Sequence, residues 1–278
     1  MIARPSVLLL VGFAFGALAA TDAQERGAKG REVRIDGSNG VLPLAAALRL
    51  GFEAWPDGGE VALGGGLGGR ARIEGLASGS IDIALASHGL EFPDLARRGM
   101  TAHRIAVTPV VFAVHADVPV RNLKARDLCD IYEGKVTHWS SFGGPKLQIR
   151  AFLRPESEVD TEIVRALIPC MKGLLVARSV SLAETTGEMR QALQETSGAI
   201  GLTTLTVVRQ SIVALRSVSI DGIAPTPENV TKGTYNLVRP AYFVTMTATP
   251  AHVKAFMDFV RSERGAAIIL ENGALAVP

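Results

Sequence analysis

The chain has few aromatic residues (5%) and almost no charge imbalance: 29 Lys and Arg stand against 27 Asp and Glu, a net charge of +2 over 278 residues. So few rings provide no stacking platform for single strands, and so small a positive excess gives no broad footprint for nucleic acid. Blocks of like charge and internal repeats are also missing. Charged residues make up 20% and hydrophobic residues 47%, which excludes a disordered chain and suits one that buries a core. Catalytic signatures are absent as well. There is no G-x-S-x-G elbow and no H-E-x-x-H pair, and His88, His103, His115, His138 and His252 are too scattered to suggest a metal site. Evidence for an enzyme is thin, and no cofactor, metal or catalytic residue is expected.

Long hydrophobic runs are nearly absent too. The single strong one, Val7 to Ala20, follows the basic Arg4 and leads to small-residue exits ending at Ala23. Roughly 14 apolar residues fall short of the ~20 needed to span a bilayer, so residues 1–23 read as a signal peptide and the mature chain as exported. Export changes the meaning of the two cysteines. Cys129 and Cys170 could form a disulfide in an oxidising compartment or remain two buried thiols, and both readings stay open.

Past Arg31, short β-rich runs alternate with helical stretches, the pattern of an α/β protein with largely parallel sheets. Strands are expected at Glu32–Asp36, Glu60–Gly64, Ile81–Ala86, Ile105–His115, Gln148–Leu153, Leu174–Val180, Ala199–Val207, Ser211–Val218 and around Tyr242–Met246. Asn122 is expected to cap a helix through Tyr132, with Gly134 as its stop. Thr185 and Glu188 have capping-box spacing, and Asn272-Gly273 closes the C-terminal helical region. The long Ile105–His115 strand reads as a crossover between two halves.

Three strand ends run into small-residue turns that precede helices: Gly37-Ser38-Asn39-Gly40-Val41, Gly64 to Gly69, and Ala86-Ser87-His88-Gly89. Free amides at such places favour an anion. One helix terminus contributes only ~0.3–1 kcal/mol, so a specific site needs several donors and preferably an arginine. Arg154 supplies one, directly after a strand and before Pro155 to Thr161. Taken singly, each loop is explained by ordinary helix capping; together they suggest a shared site. Gly64, Gly66 and Gly69 satisfy G-x-G-x-x-G, but the following helix is short and the next strand ends in Ser87-His88 rather than an acidic ribose anchor.

These loops resemble those of the phosphate-binding, PstS-like periplasmic proteins that feed ABC importers. The likeness runs through GSNGVLPLA, GGGLGGRARIEGLASGSIDIALAS, VTPVVFAVHADVPVRNLKARDLCDIYEGKVTHWSSFGG, RPESEVDT, SGAIGL, YNLVRPAY and FMDFVRSERGAAIILENGAL, and so covers nearly all of the mature chain. It implies a two-lobed type II periplasmic-binding-protein fold with a central ligand cleft, residues 31–112 and 208–278 forming one lobe and 113–207 the other. It also implies a small anion as ligand, phosphate first, a membrane-embedded ABC permease as partner, a periplasmic location and a monomer. By motif, Ser38 and the amides of Asn39, Gly40 and Val41 would meet the anion. Gly68, Ser87 and His88 would lie beside them, with Arg154, Ser157, Asp160 and Thr161 closing from the other lobe.

Three positions depart from the family pattern. Gly40 stands where a threonine is usual, Leu67 where a serine is usual, and Glu158-Val159-Asp160 interrupts the usual Ser-Gly-Thr. They leave open another oxyanion or a small carboxylate, with Asp160 accepting a ligand proton. A non-transport sensor or adaptor with a degenerate cleft is the alternative from another class.

Overall fold

The computed structural model describes residues 31–277, so the expected signal peptide lies outside the described residues. In chain order the first elements are β1 (Val33–Gly37), α1 (Leu42–Glu53), β2 (Val61–Leu63), α2 (Gly69–Ala77), β3 (Ile83–Ala86), α3 (Phe92–Arg97) and β4 (Met100–Val114). Then come β5 (Asn122–Leu123), α4 (Ala125–Tyr132), β6 (Arg150–Leu153), α5 (Val159–Leu167), β7 (Ser181–Leu182), α6 (Thr186–Glu195) and β8 (Ala199–Thr204). The chain finishes with α7 (Leu205–Arg209), β9 (Arg216–Ser217), β10 (Ser219–Ile220), α8 (Pro227–Thr231), β11 (Val238–Met246), α9 (Ala251–Arg261), α10 (Glu263–Glu271) and β12 (Leu275–Ala276).

The main sheet has the order β2-β1-β3-β11-β4-β8-β6-β7. Pairing is parallel at β1–β2, β1–β3, β6–β8 and β6–β7, but β11 and β4 run antiparallel to their neighbours, so the sheet is mixed rather than largely parallel. β4 is the crossover. Its residues 100–109 pair with β11, and Val110 to Val114 pair with β8. The return crossing lies beside it: the Val110 amide donates to the Leu237 carbonyl at 2.8 Å, and Val238 is in register with Pro109. The Tyr235 hydroxyl, buried, donates to the Val110 carbonyl at 2.7 Å and fastens the two crossings together.

The cores divide at these same crossings. Val33, Leu48, Phe52, Phe243, Phe256 and Phe259 belong to a first core built from residues up to 106 and from 241 onward. Phe112, Tyr132, Trp139, Leu202 and Leu237 belong to a second, built from residues 110–237. Burying such large side chains is worth roughly 1.5–3 kcal/mol each, so each half contains a core of its own. The segment 208–237, assigned by sequence to the first half, instead packs with the second. Val218, Ile220, Tyr235 and Leu237 lie in its core, β9 pairs with β4 and β10 with β5.

Other local expectations shift as well. Residues 174–180 form no strand, and Leu175 is left exposed. The 211–218 run keeps only β9, and Ala199–Val207 turns helical at Leu205 because Thr204 accepts from the Val207 amide as a cap. Asn122 is in β5, and the helix after it opens at Lys124, whose amide donates to Asp127 Oδ2 at 2.8 Å. Thr185 caps α6 through the Glu188 amide as expected. Cys129 and Cys170 form a disulfide, which resolves the open alternative and ties α4 to the turn after α5.

Candidate functional site

The first two predicted loops are tied together by a residue outside the prediction. Asp36 Oδ1 accepts from the amides of Gly37 (2.6 Å), Gly66 (2.9 Å) and Leu67 (2.9 Å), which holds the β1–α1 turn against the glycine loop. The parallel register of β1 with β3, and of β3 with antiparallel β11, then puts Ser38, Ser87 and the start of β11 side by side. At that point stands Arg239. Its side chain is 2% exposed. Nε donates to Ser87 Oγ at 2.9 Å, Nη2 to Ser38 Oγ at 3.3 Å, and Nη1 to Asp160 Oδ1 at 2.6 Å. Arg239 thus joins two first-half serines to a carboxylate on α5 of the second half. Removing either member of such an enclosed pair costs about 3–5 kcal/mol, because the other charge is stranded.

Arg239 explains one departure in the sequence. A Cβ at Gly40 would lie 2.3 Å from Arg239 Nη1. The missing side chain at position 40 is therefore the space the guanidinium fills. Arg72 lies close behind: it is buried on α2, and its Nη2 donates to the His88 carbonyl at 2.5 Å. Burial, and next the Arg239 charge, pull the Arg72 guanidinium below its ordinary pKa. Its Nε is buried without a hydrogen-bond partner.

Several predicted donors are already used within the protein. The Ser87 hydroxyl donates to the Pro240 carbonyl while accepting from Arg239, so it positions the arginine. The Thr161 hydroxyl donates to the Arg154 carbonyl at 3.2 Å, and the Val41 amide to the Ser38 carbonyl at 2.9 Å. Asp160 meets Arg239 rather than facing an open cleft. Arg154 is buried; Nη1 donates to the Ala183 carbonyl at 2.8 Å, and Nη2 lies 3.2 Å from Glu158 Oε2 without a hydrogen bond. Ser157 and Gly68 are exposed, and His88 is exposed with Nδ1 3.7 Å from Glu162 Oε2. Leu67 is half-buried and packs against the small cluster around Ile73 and Leu76.

Ordinary capping does not explain Ser38, Ser87 or Thr161. α1, α2 and α5 open beside this junction without a side-chain cap, and Ser38 and Thr161 bond elsewhere. The Ser38 proton and the Asn39 and Gly40 amides have no partner among the described residues. Next to them, Asn39, Gly64 and Gly65 face Thr185, Gly187 and Arg190 across a groove of about 400 Å³ between the halves.

Arg239 carries no turn or cap signal. Its sequence traces are its place in the YNLVRPAY stretch of the family likeness and a charge inside an apolar run, Leu237-Val238-Arg239-Pro240-Ala241-Tyr242-Phe243-Val244, where an enclosed arginine requires a partner.

A family model described as a PBP superfamily domain matches residues 20–264. The chain belongs to the PBP superfamily. Among curated PBP-like relatives, the phosphate-binding protein PstS of Bacillus subtilis is 26% identical over 272 residues, covering 92% of this chain and 88% of its own length. An ABC-type phosphate transport receptor from Vibrio cholerae aligns with a TM-score of 0.58 at 25% identity, over 88% of this chain and 100% of that one. A putative phosphate ABC transporter substrate-binding protein from Clostridium perfringens, solved with bound phosphate, superposes with a TM-score of 0.70 at 24% identity, over 89% and 100%. These PBP-superfamily structures share the mixed α/β, type II binding-protein fold described above.

Proposed function

We propose that the chain is a periplasmic solute-binding protein that captures phosphate, or a closely similar oxyanion, and hands it to a membrane-embedded ABC permease. One observation carries this reading. Arg72, Arg154 and Arg239 are enclosed at or beside the junction of the halves; among the described residues Asp160 is the one acidic residue buried with them, and the half-buried Glu158 lies 3.2 Å from Arg154. Buried guanidiniums in excess of carboxylates are stabilised by an anion. Arg239, Arg154 Nη2, the Ser38 hydroxyl and the Asn39 and Gly40 amides are the groups assigned to hold it.

The lobes in this reading are residues 31–109 with 238–277, and residues 110–237, turning about the paired crossings at Val110 and Leu237. Closure over the anion would bring α5 onto β11. Binding without chemical change fits a Ser87 whose proton is held by a carbonyl and whose oxygen is held by a cation. No helix among the described residues is long and apolar enough to cross a membrane. Export and a periplasmic site rest on the reading of residues 1–23.

A small carboxylate is the second reading, favoured by the Asp160 carboxylate already seated on Arg239 at 2.6 Å. Titration calorimetry on the purified chain against phosphate, sulfate, molybdate and small carboxylates separates the two. Phosphate is expected to bind tighter than about 1 mM, the −4 kcal/mol threshold, and more tightly than any carboxylate. A carboxylate that binds more tightly than phosphate would replace the first reading with the second.

A further inference from the structure

The ion pair between Arg239 and Asp160 has two properties that a purely structural bridge does not need. It joins the halves, since Arg239 belongs to β11 at the return crossing and Asp160 to the first turn of α5. It also places an oxyanion, a carboxylate oxygen, on the guanidinium that the proposed function assigns to the ligand. The guanidinium is fixed by Ser38 and Ser87 on its other edges. Asp160 is fixed by its own half, because the next residue, Thr161, is tied to the Arg154 carbonyl at the start of the helix. Neither partner can withdraw far while the halves are together.

We propose that Asp160 is a built-in competitor of the ligand: its carboxylate occupies the Arg239 seat, holds α5 against the first half, and must yield that seat when an anion binds. The inference rests on the anion-site reading above. It gives the acidic residue that interrupts the second-half loop a role opposite to that of a ligand donor. The affinity for phosphate is then a difference between two anions on one guanidinium, and the intramolecular one has the advantage of proximity. Glu162, two residues further along α5 and 3.7 Å from His88, adds a second, weaker acid-to-base contact across the same junction.

The test pairs Asp160→Asn with Asp160→Glu, each confirmed folded by circular dichroism and titrated with orthophosphate in a calorimeter. Small-angle scattering is recorded without and with phosphate. Asp160→Asn is expected to bind phosphate at least about tenfold more tightly than the native chain. It should also scatter as a more open particle without ligand and contract when phosphate is added. Asp160→Glu, which keeps a carboxylate, should stay near native in both readouts. Unchanged or weaker phosphate binding in Asp160→Asn overturns the competitor role, and weaker binding would make Asp160 a ligand contact. If neither protein binds phosphate, the phosphate reading fails on its own. Scattering then still decides whether the Arg239–Asp160 pair holds the halves together: an unchanged ligand-free profile for Asp160→Asn rules that out.

Discussion

The two faces of the junction are built with opposite charge. The first half offers Arg239 and Arg72 with two serines and a pair of unpartnered amides. The second half offers Asp160, Glu158 and Glu162 on or beside the first turn of α5, with Arg154 held by the Ala183 carbonyl and lying 3.2 Å from Glu158. Arg239 and Asp160 meet across the junction at 2.6 Å, so the two faces are complementary before any ligand is considered. The two guanidiniums assigned to the anion come from opposite sides, Arg239 from the first half and Arg154 from the second. The scaffolds differ too: the second half is stapled by the Cys129–Cys170 bridge, whereas the first relies on stacked and edge-on aromatic contacts among Phe52, Phe243, Phe256 and Phe259.

Breaking the staple should have the largest effect on stability. A bridge spanning 41 residues is worth about 4 kcal/mol by loop-closure entropy. The Cys129→Ala, Cys170→Ala double variant should therefore show a much lower denaturant midpoint, with tryptophan fluorescence from Trp139 reporting loss of the second core first. Coincident loss of both cores would mean the halves unfold as one unit. Arg154→Ala should act next most strongly and in two ways. It strands the buried Ala183 carbonyl, costing roughly 1–3 kcal/mol, and it weakens phosphate binding about ten- to a hundredfold. Native affinity in this variant would confine the arginine to a structural role.

Acid should separate the halves by another route. Burial, then Arg261, lowers the pKa of His103, whose Nδ1 faces the Arg261 guanidinium at 2.8 Å. Burial also lowers that of His252; Asp82 opposes the shift, while Arg31 and Arg34 assist it. Both histidines are in the first half, and both bind a proton less readily folded than unfolded. Their contribution is complete above the unfolded value of about 6.5 and is lost as pH falls through it toward the folded values. The melting temperature should drop over that window, and His103→Gln with His252→Asn should flatten the drop. The smallest effect is expected from Leu67→Ser. It should leave phosphate affinity unchanged and lower stability by about 1 kcal/mol through lost packing. Tighter binding would return position 67 to the ligand site.

Much of the fold was legible because strand, glycine turn and helix follow one another in the first ninety residues, and each element carries its own local signal. The crossover at β4 was legible from a long apolar strand. The return crossing was not, because Leu237-Val238 has no turn residue and its partner Val110 is more than a hundred positions away. The run at 174–180 has strand-like residues but no neighbouring strand to pair with, and Leu175 points into solvent. At the junction, Ser38, Ser87, Arg154, Asp160 and Thr161 were singled out because each follows a strand or opens a helix within a stretch that resembles the family. Their individual roles were not readable. Which hydroxyl gives its proton to a carbonyl depends on Pro240 and Arg154, and these meet the serine or threonine only through tertiary packing. Arg239 escaped for the same reason: its importance comes from the β3–β11 pairing rather than from anything beside it in the chain.

Arg239 is the proposed centre of the anion seat. Calorimetry with orthophosphate on Arg239→Met in the Asp160→Asn background, where no buried carboxylate is left unpaired, tests this directly against Asp160→Asn alone. A loss of at least about a hundredfold in affinity, near 3 kcal/mol, is the predicted result. Equal affinities in the two proteins would contradict it.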